Sequence, residues 1–131
     1  MNELKRILYV EDQPDIRAVS KVALEKVGGF ELQICSGGEE AVATAVAFEP
    51  ELFLLDVMMP GMDGLETLKA LRQLPGLDEV PVIFMTAKVQ TNEVAEYKLL
   101  GAIEVIYKPF DPMAISDQIR AAWQQYIVAV K

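Results

Sequence analysis

Four short apolar stretches of the chain each end on a polar residue that can take part in chemistry. They are LYVED, which ends at Asp12, LFLLD, which ends at Asp56, VIFMT, which ends at Thr86, and VIYK, which ends at Lys108. Short apolar runs with little alternation are typical of parallel strands that are covered on both faces. In an open parallel sheet, ligands bind beyond the carboxyl ends of the strands. The pattern therefore predicts that an acidic cluster, a hydroxyl and an ammonium group meet at one edge of a sheet.

Helical patterns separate these stretches, so the chain divides into five units of a strand followed by a helix. The predicted strands are residues 4–10, 30–35, 52–56, 82–86 and 103–107. Right-handed crossovers between such units give a three-layer α/β sandwich with helices on both faces of the sheet. We therefore predict a single domain over residues 1–131, with its core at about residues 4–127.

Several residues predict where the helices begin and end. Pro14 favours a first helical turn and Gly28-Gly29 a helix end, so the first helix is expected between them. Its apolar positions are Ile16, Val19, Ala23 and Val27. Capping boxes predict the starts of the second and third helices, at Ser36 with Glu39 and at Asp63 with Glu66. The last helix is predicted to be capped by Asp111, with Pro112 in its first turn. Its buried face is predicted to contain Ile115, Ile119, Trp123 and Tyr126.

Composition excludes several classes of site. The chain has no histidine, which excludes a Ser–His triad, most zinc sites and a phosphohistidine on this chain. Cys35 is the only cysteine and is interpreted as a small core residue. A net charge of −8 argues against direct contact with nucleic acid. The apolar runs are too short for a membrane span or a signal peptide, so a cytoplasmic protein without membrane insertion is expected.

The carboxylates are the centre of the predicted site. Asp56 is expected at the edge of a dry core, where its charge is costly. Glu11 and Asp12 bring two further carboxylates, and three such groups repel each other unless a cation lies between them. Oxygen ligands with room for water suit Mg²⁺. Lys108 could hold a phosphoryl oxygen and Thr86 could donate to another. Taken singly, these residues could equally be a cap, an ion pair and a turn residue.

Taken together, the motifs resemble the receiver domain of bacterial two-component response regulators over essentially the whole chain. The matching motifs are Glu11-Asp12 followed by Pro14, DVMMPGMDG at residues 56–64, TAK from Thr86, and KPF from Lys108. The resemblance implies a flavodoxin-like (βα)5 fold with strand order 2-1-3-4-5. It also implies a phosphoacceptor rather than an enzyme, which receives its phosphoryl group from a sensor histidine kinase or a histidine phosphotransfer protein. The recipient of the signal would be a downstream protein, an output domain or a second copy of the chain.

The resemblance also assigns roles to single residues. Asp56 resembles the phosphoacceptor, and Thr86 and Lys108 resemble the residues that bind the phosphoryl oxygens. The implied Mg²⁺ ligands are Asp12 and Asp56 directly, Glu11 through water, and the main-chain carbonyl of Met58. The Lys108-Pro109 bond resembles one that is cis in the family. The implied mechanism is transfer of the phosphoryl group to a carboxylate, hydrolysis of the acyl phosphate by water, and a shift of a two-state equilibrium through Thr86.

The chain departs from the family pattern at positions that concern signalling and phosphate lifetime. Val105 stands three residues before the lysine, where the family usually has an aromatic switch residue, and Tyr107 is not assigned that role because it faces the opposite side of the strand from Lys108. Met58 and Lys88 resemble the two positions that set phosphate lifetime. Because an apolar Met58 cannot orient water by hydrogen bonding, slow self-dephosphorylation is expected.

Three other classes of protein compete with this interpretation. A haloacid-dehalogenase-type phosphatase needs an aspartate where Met58 stands, and a flavin or nucleotide binder needs a Gly- or Ser-rich loop where this chain has EDQPD. A receiver-like interaction module that is never phosphorylated remains the main alternative. The chain could stand alone, shuttle phosphate, or be the N-terminal part of a larger regulator. Its expected contact surface is the fourth helix, the fifth strand and the fifth helix.

Overall fold

The computed structural model describes residues 3–87 and 91–130 of the chain. Its strands are β1 (Arg6–Val10), β2 (Glu31–Cys35), β3 (Leu52–Asp56), β4 (Val82–Thr86) and β5 (Ala102–Tyr107). They form one parallel sheet in the order β2-β1-β3-β4-β5, which confirms the predicted topology. The limits of β3 and β4 are those predicted.

The helices cover both faces of this sheet. They are α1 (Pro14–Lys21), α2 (Gly38–Phe48), α3 (Gly64–Arg72), α4 (Thr91–Leu99) and α5 (Ile115–Val130), and α1 continues into a π-helical segment, Val22–Val27. One apolar layer lies between the sheet and α2, α3 and α4, and the other lies between the sheet and the π-helical segment with α5. The predicted three-layer sandwich is therefore confirmed. Within the described residues, no helix combines the length and apolar character of a membrane span.

Three strand starts differ from the prediction. β1 and β2 begin later than expected, although Leu4 and Phe30, which precede them, are both only 4% exposed. These residues pack into the core before the hydrogen-bonded ladder begins. A prediction from apolar character alone therefore makes both strands too long. β5 begins one residue earlier than expected, at Ala102, which pairs with Val82.

The buried face of the first helix is the predicted one only in part, since Ala23 is buried and Ile16 is partly buried but the two predicted valines are not. Val19 and Val27 are each 47% exposed, whereas Ser20 and Leu24 are fully buried. The Tyr9 hydroxyl donates a hydrogen bond to the Ser20 hydroxyl over 2.8 Å, which allows a serine to face the core. The core-facing side is thus rotated by about one position, and an apolar strip on the first helix remains at the surface.

Two of the predicted helix starts are wrong. Ser36 does not form a capping box with Glu39, since Gly37 is the N-cap of α2 and the Ser36 amide and hydroxyl both donate to the Glu40 carboxylate, over 2.8 and 3.0 Å. Ser36 precedes the N-cap position by one residue, so it cannot form the capping box. Glu40, in the first turn of α2, accepts its hydrogen bonds instead. The last helix begins at Ile115 rather than at Pro112.

The segment before α5 is a turn that Asp111 stabilises. The Asp111 carboxylate accepts a hydrogen bond from the Met113 amide over 2.9 Å, and the Asp111 carbonyl accepts bonds from Ala114 and Ile115. Amides before and at the start of α5 thus donate to Asp111 within the turn. In a helix that began at Pro112, these first-turn amides would have needed a capping residue. The predicted buried face of α5 is confirmed for Ile115, Ile119 and Trp123, and Tyr126 is half-buried against the same layer.

The third helix begins as predicted. The Glu66 amide donates to the Asp63 carboxylate over 2.8 Å, and the Asp63 amide donates to the Glu66 carboxylate over 3.1 Å. This reciprocal pair is the predicted capping box. It fixes the end of the loop that leads from β3, and thus the segment that follows Asp56.

Close contact joins the π-helical segment to α5. Gly28 lies against Ser116, so that a Cβ atom at position 28 would overlap the Ser116 hydroxyl. The same hydroxyl donates to the Ala23 carbonyl over 2.9 Å. The Arg120 guanidinium donates to the Gly28 carbonyl and lies 4.3 Å from the centroid of the Phe30 ring. These contacts make one packed unit from two segments that are distant in sequence.

Candidate functional site

The sheet register brings the predicted residues to one edge. Asp56 pairs with Met85, and Thr86 pairs with Tyr107, so the carboxyl ends of β3, β4 and β5 are level. The Lys108 amide continues this ladder by donating to the Thr86 carbonyl over 2.9 Å. The polar residues at the ends of these strands are thereby placed at one edge of the sheet.

A buried ion-pair network lies at the centre of this edge. The Lys108 ammonium is 2.7 Å from Oε1 of Glu11 and 3.1 Å from Oδ2 of Asp56. Glu11 is fully buried and Asp56 is 3% exposed. Burial alone lowers the pKa of Lys108, but its hydrogen bond to Glu11 and the charge of Asp56 outweigh burial, so this pKa is raised above its ordinary value. The ammonium therefore stays charged at neutral pH.

The Asp56 carboxyl is held in an unfavourable environment for an anion. Burial, followed by repulsion from Glu11, raises its pKa from 3.8 to about 7, although Lys108 acts in the opposite direction. One ammonium thus offsets only part of the cost of burying two neighbouring carboxylates. A second cation at this position would stabilise the charged form of Asp56.

The acidic cluster has the composition of a site for a hard cation. One carboxylate oxygen from each of Glu11, Asp12 and Asp56 lies within 4.8 Å of the others. The Oδ1 atom of Asp12 is buried and has no hydrogen-bond partner among the described residues. A buried oxygen that is left unsatisfied is costly unless a cation or a water fills the space in front of it. The residues therefore fit a divalent ion that prefers oxygen ligands.

Hydrogen bonds from the start of α1 hold Glu11 in place. The Gln13 amide donates to Oε2 of Glu11 over 3.2 Å, and the Arg17 guanidinium donates to the Glu11 carbonyl over 2.8 Å. Sequence reasoning did not identify Gln13 and Arg17 as supporting residues. The available signal was Pro14, because a helix that begins there places the preceding amide and the first-turn side chains beside the acidic pair.

The edge of the sheet that holds Glu11, Asp12 and Asp56 is called the acidic edge. The loop after β3 is packed closely against it. The Val57 amide donates to the Met85 carbonyl over 2.9 Å and so extends the ladder beyond Asp56. A Cβ atom at position 64 would overlap the Asp56 carbonyl, so only glycine allows α3 to begin at this distance. The ladder bond of Val57 fixes the main chain before Met58, and the glycine with the capping box fixes it afterwards.

A pocket of 320 Å³ opens above Asp56. The residues that line it are Gln13, Ile16, Asp56, Met58, Ala87, Lys108 and Pro109. Among the described residues of this lining, Gln13 is the only polar one apart from the ion pair. Met58 is 74% exposed at its rim. The peptide bond between Lys108 and Pro109 is cis, as expected from the resemblance.

At the position where the resemblance predicts an aromatic switch residue, this chain has a buried valine. Val105 is 6% exposed and packs in the apolar layer under α4, while Tyr107 is 55% exposed. Tyr97 of α4 is also buried, and its ring centroid lies 5.2 Å from that of Phe84. Lys88, which was expected to influence phosphate lifetime, lies outside the described residues.

A sequence model of the response regulator receiver domain matches residues 7–120 of the chain. The chain belongs to the response-regulator receiver family. The match covers β1 to the first turns of α5, so it includes every residue of the acidic edge.

Relatives of this receiver include a transcriptional regulatory protein and a DNA-binding response regulator. It is 34% identical to the alkaline phosphatase synthesis transcriptional regulatory protein PhoP of Bacillus subtilis, over 95% of the receiver and 51% of that protein. It is 33% identical to the DNA-binding response regulator MtrA of Mycolicibacterium smegmatis, over 89% of the receiver and 50% of that protein. The receiver therefore spans about half the length of the curated relatives it matches.

A solved structure of similar length has the same fold. The chemotaxis protein CheY4 of Vibrio cholerae superposes with a TM-score of 0.83 and 28% sequence identity, over 92% of this receiver and 99% of that chain. The relationship therefore extends to the whole three-layer architecture.

The raised pKa of Asp56 gives a pH-dependent prediction for the metal-free receiver. Asp56→Asn removes a carboxylate whose folded pKa exceeds its unfolded value, so the variant should be more stable than wild type above about pH 7 and should lose this advantage toward about pH 4. The rise in pKa from 3.8 to about 7 corresponds to a gain in the free energy of unfolding of up to about 4 kcal/mol at the upper end. Urea unfolding with a chelator, at several pH values, measures it.

Asp78→Asn is the matched control, because Asp78 is an exposed carboxylate away from the pocket. Its difference from wild type should stay near zero at every pH. An Asp56→Asn gain that is the same at low and high pH would contradict an ionisation cost at this position.

Proposed function

We propose that this receiver accepts a phosphoryl group on Asp56, with Mg²⁺ as cofactor, and that the modified form acts on a partner or an output domain. The observation that carries the proposal is the ion pair between Lys108 and Asp56 inside an acidic cluster. A carboxylate in this position is accessible from the pocket and has a counter-charge beside it. We assign residues 1–131 to one receiver domain with its core at about residues 4–127.

Glu11, Asp12, Asp56 and the main-chain carbonyl of Met58 are the residues that we assign to Mg²⁺. The unsatisfied Oδ1 atom of Asp12 and the all-oxygen donor set support this assignment. When bound, the ion supplies positive charge that offsets repulsion between the carboxylates and neutralises phosphoryl oxygens.

In the proposed transfer, a carboxylate oxygen of Asp56 attacks phosphorus. A new O–P bond forms while the bond between phosphorus and the donor atom breaks, and its electron pair stays with the donor. Lys108 then holds one phosphoryl oxygen, and the Thr86 hydroxyl donates to another. Hydrolysis of the acyl phosphate restores Asp56. The receiver thus promotes its own phosphorylation and dephosphorylation but acts on no other substrate.

The modified Asp56 would shift an equilibrium in the units that contain β4 and β5. Thr86 is fully enclosed at the end of β4, with 1% exposure, so a change at its hydroxyl must be accommodated by neighbouring packing. Val105 has no ring to rotate. Movement of the packed β4–α4 layer, in which Phe84 contacts Tyr97, is the route that we assign to the signal.

An apolar groove leads away from the pocket along α1. Ile16 and Pro109 line both the pocket and the groove, and Val19 and Met113 line its continuation. We propose that a protein donor, a histidine kinase or phosphotransfer protein, covers this groove when its phosphohistidine reaches Asp56. The continuity of the groove with the pocket supports this position, since the donor must approach through the same opening.

The first test is phosphorylation by acetyl phosphate, followed by intact mass. Wild type with Mg²⁺ should gain the mass of one phosphoryl group, and the gain should vanish in Asp56→Asn and in the presence of a chelator, because both the acceptor and the cation are required. Asp78→Asn should still be modified. A folded wild type that binds Mg²⁺ but is not modified would instead support a docking module that is never phosphorylated.

A second test concerns the lifetime of the phosphoryl group. Met58→Asn places a hydrogen-bonding side chain at the rim of the pocket, and we expect roughly fivefold faster loss of phosphate, the equivalent of one additional hydrogen bond to the attacking water. The decay of the mass adduct after removal of acetyl phosphate measures it. Met113→Asn is the control, as Met113 is 69% exposed outside the pocket. Equal decay in Met58→Asn and wild type would refute a role for this rim position.

A third test separates the protein donor from the small one. Val19→Asp puts a charge into the groove, and transfer from any phosphohistidine protein that modifies wild type should slow by about tenfold, because the charge must be desolvated. Modification by acetyl phosphate should be unaffected. Val46→Asp is the matched control, since Val46 is 46% exposed on α2. Slower transfer in both variants, or in neither, argues for a different docking surface.

A further inference from the structure

The methionines of the receiver differ sharply in exposure. Met58 and Met113 are 74% and 69% exposed, whereas Met59 is 8% exposed and Met85 is fully buried. A thioether must be reached by solvent before an oxidant can attack its sulfur. A mild oxidant will therefore modify Met58 and Met113 before the methionines of the core.

Within residues 3–87 and 91–130, the two methionines that are mostly exposed lie in different places. Met58 lines the pocket that contains Asp56 and Lys108, while Met113 lines the groove beside Pro112. Among the described residues, the rest of the pocket lining is apolar except for Gln13 and the ion pair. A polar group formed on Met58 would thus add a hydrogen-bonding atom to a pocket rim whose described residues are mostly apolar.

We propose that Met58 is a redox-modification site, and that its oxidation to methionine sulfoxide by hydrogen peroxide shortens the lifetime of the phosphoryl group on Asp56. The inference rests on the proposed function, because it needs an acyl phosphate at Asp56. Under this proposal, hydrogen peroxide regulates how long the phosphoryl group stays on Asp56, in addition to the kinase that supplies it.

The oxidation is a two-electron step. The sulfur of Met58 attacks one oxygen of hydrogen peroxide, the O–O bond breaks, and the second oxygen leaves as water. The sulfur gains an oxygen and the peroxide is reduced. Methionine sulfoxide reductases, which draw their electrons from thiols, reverse this change.

The new oxygen changes what the rim can bind. A thioether sulfur is a weak hydrogen-bond acceptor, whereas a sulfoxide oxygen is polar and accepts readily. A water that donates to this oxygen keeps a lone pair for attack on phosphorus. We expect phosphate loss to accelerate by roughly fivefold, which corresponds to one hydrogen bond in the transition state.

The experiment uses dilute hydrogen peroxide, acetyl phosphate and intact mass with peptide mapping. Wild type, Met58→Leu, Met113→Leu and Met58→Gln are phosphorylated with and without prior oxidation, and each oxidised protein is compared with its own unoxidised form. Glutamine places an oxygen near the position of the sulfoxide oxygen, so Met58→Gln tests the chemistry without an oxidant.

Support requires that peptide mapping finds sulfoxide on Met58, that oxidation speeds phosphate loss in wild type and in Met113→Leu, and that Met58→Leu shows no such change. Met58→Gln should lose phosphate faster than Met58→Leu before any oxidation. Treatment with methionine sulfoxide reductase should restore the original lifetime.

Two results overturn the inference while leaving phosphorylation intact. One is sulfoxide on Met58 with an unchanged or longer phosphate lifetime, and the other is acceleration that persists in Met58→Leu. If unoxidised wild type takes up no phosphate at all, the proposed function itself fails, and the inference fails with it.

Discussion

The Lys108 ammonium, placed between two buried carboxylates, is the interaction on which the acidic edge depends. Glu11 directly follows β1 and Asp56 ends β3, and without a shared cation their repulsion would oppose the close approach of these two strands. Lys108 compensates this repulsion only in part, as the raised pKa of Asp56 indicates. The charge of Asp56 is therefore only partly compensated by the fold, and a bound metal ion would offset the remainder.

Much of the architecture could be predicted because each apolar run that ends on a polar residue forms a strand of the sheet, and that polar residue lies at or beyond the end of the strand. β3 and β4 were located to the residue, since Asp56 and Thr86 end runs that are buried on both faces. The meeting of both residues with Lys108 followed from parallel register alone. The core-facing side of α1 could not be predicted, because burial of Ser20 depends on Tyr9, a partner on another element. Local pattern contains no information about such a pair.

The finer geometry of the site also exceeds what the sequence contains. Residue types suggested three carboxylates and a lysine, but they could not indicate that Lys108 contacts Glu11 more closely than Asp56, or that one oxygen of Asp12 lacks a partner. The Ser36 and Asp111 helix starts failed for a related reason. The Ser36 hydroxyl donates to the Glu40 carboxylate instead of accepting from a helix amide, and the Asp111 carboxylate accepts from the Met113 amide within a turn. In both cases the main chain places the helix start later than the side-chain pattern predicts.

The contact between Gly28 and Ser116 has a consequence for the construction of chimeras. A parent with any larger residue at position 28 would displace the serine and leave the Ala23 carbonyl without this donor. The end of the first helix and the beginning of the last must therefore be inherited together when segments of related receivers are exchanged. Crossover points that divide this unit will combine incompatible surfaces, even when the sheet between them is retained in full.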